Sequence, residues 1–173
     1  MVVVIIIGTV SAMVVPNLMM LVPETRIEAA CKSVVSNVDF LRSEARITGK
    51  KLRLEIDIDR HQWRYVLPPE QQITLDQDVA TLEEQFEEWT PIGEDVVVVS
   101  AGNRTEGLVE RGIFAMYFDE NGFTSDQSIV LQLESEPNMT WTVQIHGLTG
   151  RSEIVEDNEG NAHLLEETGE GAF

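Results

Sequence analysis

The chain has 173 residues, 43% of them hydrophobic, with a single cysteine and a formal charge of −18. That length allows one domain of ordinary size with its own core, and the lone Cys31 excludes an internal disulfide framework. The charge is uneven: residues 1–51 carry six basic and four acidic side chains, a net of +2, which leaves −20 on residues 52–173. A surface that acidic repels phosphate backbones, so nucleic acid is not an expected partner.

The first 22 residues hold no charged side chain. As a helix at about 1.5 Å per residue they reach about 33 Å, against about 30 Å of bilayer hydrocarbon, so the sequence predicts a retained membrane helix. A cleaved signal is the rival reading, with Val10-Ser11-Ala12 as its small-x-small site. The run lacks a basic head and stays apolar for ten residues past Ala12, which argues against cleavage. A helix buried in a protein core is the third reading.

From Glu24 to Thr48 the apolar residues take helical spacing. Ile27, Cys31, Val34, Val38, Leu41 and Ala45 fall on one stripe, and the charged residues fall off it. Gly49 followed by Lys50-Lys51 reads as the helix C-cap. Pro16 and Pro23 each remove an amide donor and are expected to kink the helix without ending it. The sequence thus predicts one long bent helix over 1–48. Its stripe faces a sheet in one reading and a second helix in a coiled coil in the other; Cys31 and Ala45 are poor seam residues, which favours the sheet. On that stripe Cys31 is expected to be a small buried hydrophobe.

The period then becomes two. Leu52, Leu54, Ile56 and Ile58 alternate with charged residues, and Trp63–Leu67 follows a turn at 59–62, which predicts a hairpin closed off by Pro68-Pro69. Residues 70–92 read either as a short acidic helix or as an irregular excursion. Val96–Ser100, Ile113–Asp119, Ser128–Glu134, Thr140–His146 and Arg151–Val155 are further predicted strands, with turns at Glu120-Asn121-Gly122 and Thr149-Gly150. The organisation is a helix at 1–22, a domain at 23–156 whose helix covers 24–48, and an acidic, Gly-rich, loosely held tail at 157–173. The class is α+β: a long N-terminal helix, half membrane and half amphipathic, packed on an antiparallel sheet.

The run from Val2 to Asn17 resembles the N-terminal helix of type IV pilins and type II secretion pseudopilins. Phe40 to Lys50, the hairpin Asp57 to Trp63, Tyr117 to Gly122 and Leu148 to Arg151 are similar to the H-type minor pseudopilins (the GspH/FimT group). The resemblance implies that Val2, Val3, Val4, Ile5, Ile6, Ile7, Gly8, Val10, Ala12, Val14, Val15 and Pro16 form the helix that is stored in the inner membrane and then packs against neighbouring helices in a filament. Pro16 matches the family proline where the helix loosens; an ordinary tolerated kink is the plainer reading. Gly8, Ser11 and Ala12 either let helices approach closely or are the small residues of any membrane helix. Precursors of the family begin with a basic leader, a peptidase junction whose new amine is methylated, and a Glu. By register Met1 falls about six residues beyond that junction, so the expectation is a true start codon upstream, with a decayed copy as the alternative.

No catalytic or metal constellation emerges. His61, His146 and His163 lack ligand spacing to each other or to Cys31 and are expected to be solvated. Asp157-Asn158-Glu159-Gly160-Asn161 offers oxygens but misses the EF-hand spacing. The expectation is therefore a non-enzymatic subunit without cofactor or metal. The resemblance implies a type II secretion pseudopilin in a periplasmic filament that drives protein export. Its implied partners are other pseudopilins, the inner-membrane assembly platform and the prepilin peptidase. Alternatives are a FimT-like minor pilin and a signal-anchored periplasmic binding module.

Overall fold

Alternation of apolar and charged residues from Leu52 onward makes extended chain the local solution, and the long apolar stripe before it supplies the surface that such strands need to bury. The computed structural model describes residues 2–67, 85–103 and 107–157, with side chains from Pro23 onward except those of Leu67 and Gln85. Helix α1 runs Val2–Thr48. Gly49 ends it in the left-handed region (φ 63°), and its N–H donates to the Ala45 carbonyl at 2.9 Å.

Ten strands follow: β1 Leu52–Asp57, β2 Gln62–Leu67, β3 Gln85–Phe86, β4 Thr90–Pro91, β5 Val96–Asn103, β6 Gly107–Val109, β7 Ile113–Phe118, β8 Gln127–Leu133, β9 Thr140–Ile145 and β10 Ser152–Asp157. They form two antiparallel sheets. Sheet A has the order β3-β2-β1-β7, with β4 also on β2, and sheet B has the order β10-β9-β8-β5-β6. The expectation of a single sheet is thereby corrected. Period-two patterning places strands but does not say which of them share a ladder, and here the chain leaves sheet A after β4, returns to it for β7, and leaves again.

A second correction concerns the helix. A membrane half for α1, a transmembrane assignment and a single-pass inner-membrane location were expected. Among the described residues no helix is long and apolar enough to cross a membrane. The described part, 23–48, carries Glu24, Arg26, Glu28, Lys32, Asp39, Arg42, Glu44 and Arg46. Charges at the centre of a span cost about 2.5–3.5 kcal/mol each. The side chains of residues 1–22, on which the expectation rested, lie outside the described residues, as do residues 68–84 and the tail from 158.

Within 85–92 the chain adopts neither a helix nor a wholly irregular path. Phe86 pairs with Val66, and Thr90 with Trp63, so two very short strands border β2. Arg64 holds them there. Its guanidinium lies 4.0 Å from the Phe86 ring centre and 4.2 Å from that of Trp89, while Nη2 and Nε reach Glu55 Oε2 at 2.7 and 2.8 Å. Arg53 Nη2 meets the other Glu55 oxygen at 3.0 Å, so this carboxylate, though only 7% exposed, is fully compensated.

The hairpin tip between β1 and β2 joins the two sheets. The pairing of β6 with β5 covers only Ala101–Asn103, and the register of β5 on β8 shifts between Val98 and Ser100. The Val98 N–H donates instead to His61 Nδ1 at 3.0 Å, and the Ile92 N–H to the His61 carbonyl at 3.1 Å. His61 sits at φ 55° to do this. It is a half-buried cap on a strand edge, not the solvated turn histidine expected from the sequence.

Replacing Arg64 with Ala frees Phe86 and Trp89 and leaves Glu55 with one partner. Urea denaturation of R64A should show a loss of about 2–3 kcal/mol. An unchanged midpoint would mean that the Arg64 cluster does not hold this border.

Candidate functional site

The residues named for the helix face lie together in the core. Ile27, Cys31 and Ala45 are 0% exposed, and Val34, Val38 and Leu41 are buried with them. Ala30 is buried as well, one turn from Ile27 and Val34, although it is not among the residues of the predicted stripe. The same cluster takes in Leu52, Leu54 and Ile56 of β1, Phe114 and Met116 of β7, and Ile129, Leu131 and Trp141 of sheet B. The helix touches β1 and β7 of sheet A and β5, β8 and β9 of sheet B, so a single stripe packs on both sheets. Burial pushes the Cys31 thiol up to about 12, with Glu156 and Glu28 adding to the shift. The thiol is a packing atom with no nucleophilic use at neutral pH.

Polar contacts fix the second half of the helix. At mid-length Arg26 Nη1 lies 3.6 Å from Asp95. Three turns on, the Tyr65 hydroxyl donates to Asn37 Oδ1 at 2.9 Å, with the Phe40 ring 5.7 Å from that of Tyr65. At its end two loops close over Arg42 and Arg46. Arg46 Nε donates to the Asn121 carbonyl at 3.0 Å. Gly122 (φ 76°) packs so closely on the Arg42 backbone that a Cβ there would lie 2.6 Å from its carbonyl oxygen. Gly150 (φ 68°) leaves open the space that the Arg42 guanidinium occupies. Three segments far apart in sequence, 40–50, 117–122 and 148–151, thus meet at one point.

The turn after β7 is shaped by Asp119. Its Oδ1 accepts the N–H groups of Phe123 at 2.7 Å and Asn121 at 2.9 Å. The Phe123 amide contributes most to holding this carboxyl below its ordinary value of 3.8, with Asn121 and Gly122 assisting against some desolvation.

Two large apolar side chains of the helix keep exposed surface, Phe40 at 53% and Ile47 at 80%. They stand seven residues apart, two turns, with Ser43 and Glu44 between them, and both fall off the buried face. The named residues Val2 to Pro16 have no described side chains, and of the oxygen-bearing segment 157–161 only Asp157 lies within the described residues. Among the described residues no three His, Cys, Asp or Glu side chains are grouped to hold a metal ion.

No protein-family model and no curated protein matches the chain. Among solved structures it is similar to the minor pseudopilin EpsH from the Type 2 Secretion System of Vibrio cholerae. One EpsH structure shows 15% identity and a TM-score of 0.47, covering 75% of this chain and 95% of that one. A second shows 13% identity and a TM-score of 0.49, covering 76% and 97%. The chain is also similar to the type IV minor pilin FimU of Pseudomonas aeruginosa, at 12% identity and a TM-score of 0.46, covering 78% and 99%. Likenesses at this level carry no argument about activity or partners.

Two outcomes test the clamp. Gly150→Ala forces a side chain into the Arg42 position at a positive φ and should cost about 1–3 kcal/mol by denaturant unfolding, whereas an unchanged stability would remove the clamp from the account. Because the folded state lowers the Asp119 pKa, its contribution is present above the ordinary carboxylate value and is lost as pH falls through the lower folded value. An NMR titration should place the Asp119 carboxyl midpoint below 3.8, and a midpoint at or above 3.8 would contradict the turn geometry.

Proposed function

We propose that the chain is a structural subunit of a pilin-type filament, a minor pseudopilin or minor pilin, and within that class an H-type pseudopilin of a type II secretion system. One observation carries the reading: a 47-residue N-terminal helix whose stripe between Ile27 and Ala45 packs on two sheets. The uncharged run before it is the part that packs against neighbouring rods, where an unpaired charge would be expensive. The exposed Phe40 and Ile47 give such neighbours a further apolar contact.

The H-type assignment is supported by the meeting of 40–50, 117–122 and 148–151 at the helix end. These are three of the segments whose sequence resembles that group. Its partners in this reading are other pseudopilins, the assembly platform and, for a longer precursor, the prepilin peptidase. The subunit works by assembly and turns over no substrate. From Ser152 to Phe173 there are seven acidic residues and no Lys or Arg, which disfavours a DNA-binding minor pilin.

Ile6→Lys tests this reading. The variant should fold with the parent's thermal midpoint yet be recovered with pilin-like subunits about a hundredfold less, the ratio that corresponds to about 3 kcal/mol. Equal recovery of the variant and the parent would overturn the proposal.

A further inference from the structure

Strand β7 lies at the border of sheet A, with β1 on one side and no strand on the other among the described residues. The Ile58 N–H donates to the Gly112 carbonyl at 3.0 Å, which fixes the parity of the ladder. The hydrogen-bonded pairs are then 58 with 112, 56 with 114, 54 with 116 and 52 with 118. The N–H and C=O groups of Ile113, Ala115 and Tyr117 consequently point outward. The next residue of that parity, Asp119, has its outward N–H taken by the Phe123 carbonyl at 2.9 Å, so the turn closes the edge at that end.

Three features set this edge apart. Its sequence, Ile-Phe-Ala-Met-Tyr-Phe, contains neither a charge nor a proline, the usual protections of a bare strand. Ile113 and Tyr117, 53% and 62% exposed, flank it with apolar surface. Alongside its second half lies a cavity of about 570 Å³, bordered by Tyr117, Phe118, Phe123, Gln127, Lys51 and Asp119, whose Oδ1 is already taken by the Asn121 and Phe123 amides.

We propose that the outer edge of β7 docks an extended segment of a partner protein, which joins sheet A as an added antiparallel strand. Only extended backbone can meet outward N–H and C=O groups spaced at every second residue. The cavity takes one bulky apolar side chain of that segment. Lys51, at the rim and in no ion pair among the described residues, selects a carboxylate beside it. A second copy of this chain is the poorer occupant, because two molecules of −18 charge repel each other.

The test uses the full chain and a synthetic peptide of alternating Val and Thr with one central Phe and a single Glu beside it. Amide hydrogen exchange at Ile113, Ala115 and Tyr117 should be fast in the free protein and slow by at least about tenfold with saturating peptide. Ala115→Pro removes an outward N–H, leaves the β1 ladder intact and should abolish the protection. Lys51→Glu, a surface change, should weaken binding at least about fivefold and keeps the test decisive if the proline variant fails to fold. Unchanged exchange with peptide would overturn the proposal. So would protection in the free protein at every concentration, the mark of cover by this chain itself, or protection that grows with protein concentration alone, the mark of a second copy.

Discussion

Burial of one helix stripe is the constraint on which the rest of the molecule depends. Neither sheet closes on itself, and each needs its apolar face removed from water. Ile27, Cys31, Val34, Val38, Leu41 and Ala45 supply the missing surface for both at once. A helix that serves two sheets cannot rotate or slide without exposing one of them. Its register is therefore held by packing first and by the polar contacts at Asp95, Tyr65 and Asn121 second.

The two sheets are tied to each other by means other than a shared ladder. His61 lends a ring nitrogen to a β5 amide, and its carbonyl holds Ile92. Asp59 Oδ2, in the same hairpin tip, accepts the Gly112 N–H at 3.0 Å and so anchors the start of β7. These are local remedies for backbone groups that would otherwise lack partners. Together they make the tip between β1 and β2 a joint of the whole domain.

Much of this was legible in the sequence for physical reasons. A strict 4-3-4-3-4 spacing has one helical interpretation, and strict alternation over Leu52–Ile58 has one extended interpretation. Glu120-Asn121-Gly122 announced a turn because glycine there accepts a positive φ. The division into two sheets was hidden, since pairing across long sequence gaps leaves no trace in local periodicity. The strands at 85–91 were hidden too, because Arg64 stacked between two rings enforces them and the local sequence hardly does. The role of His61 was hidden because it meets an outward Val98 N–H that β6 does not reach, a matter of strand pairing that no pattern of apolar residues marks. A run of uncharged residues also suggested more than the described helix supports, for hydropathy alone does not distinguish a bilayer from other apolar surroundings.

Native-state hydrogen exchange on the full chain tests the central claim most directly, because it reports how much of the molecule must open before a given amide is released. Amides between Ile27 and Ala45 should exchange only through global unfolding, with the same free energy as the central strands β8 and β9. Exchange of those helix amides by a separate, easier opening that leaves both sheets protected would contradict the account.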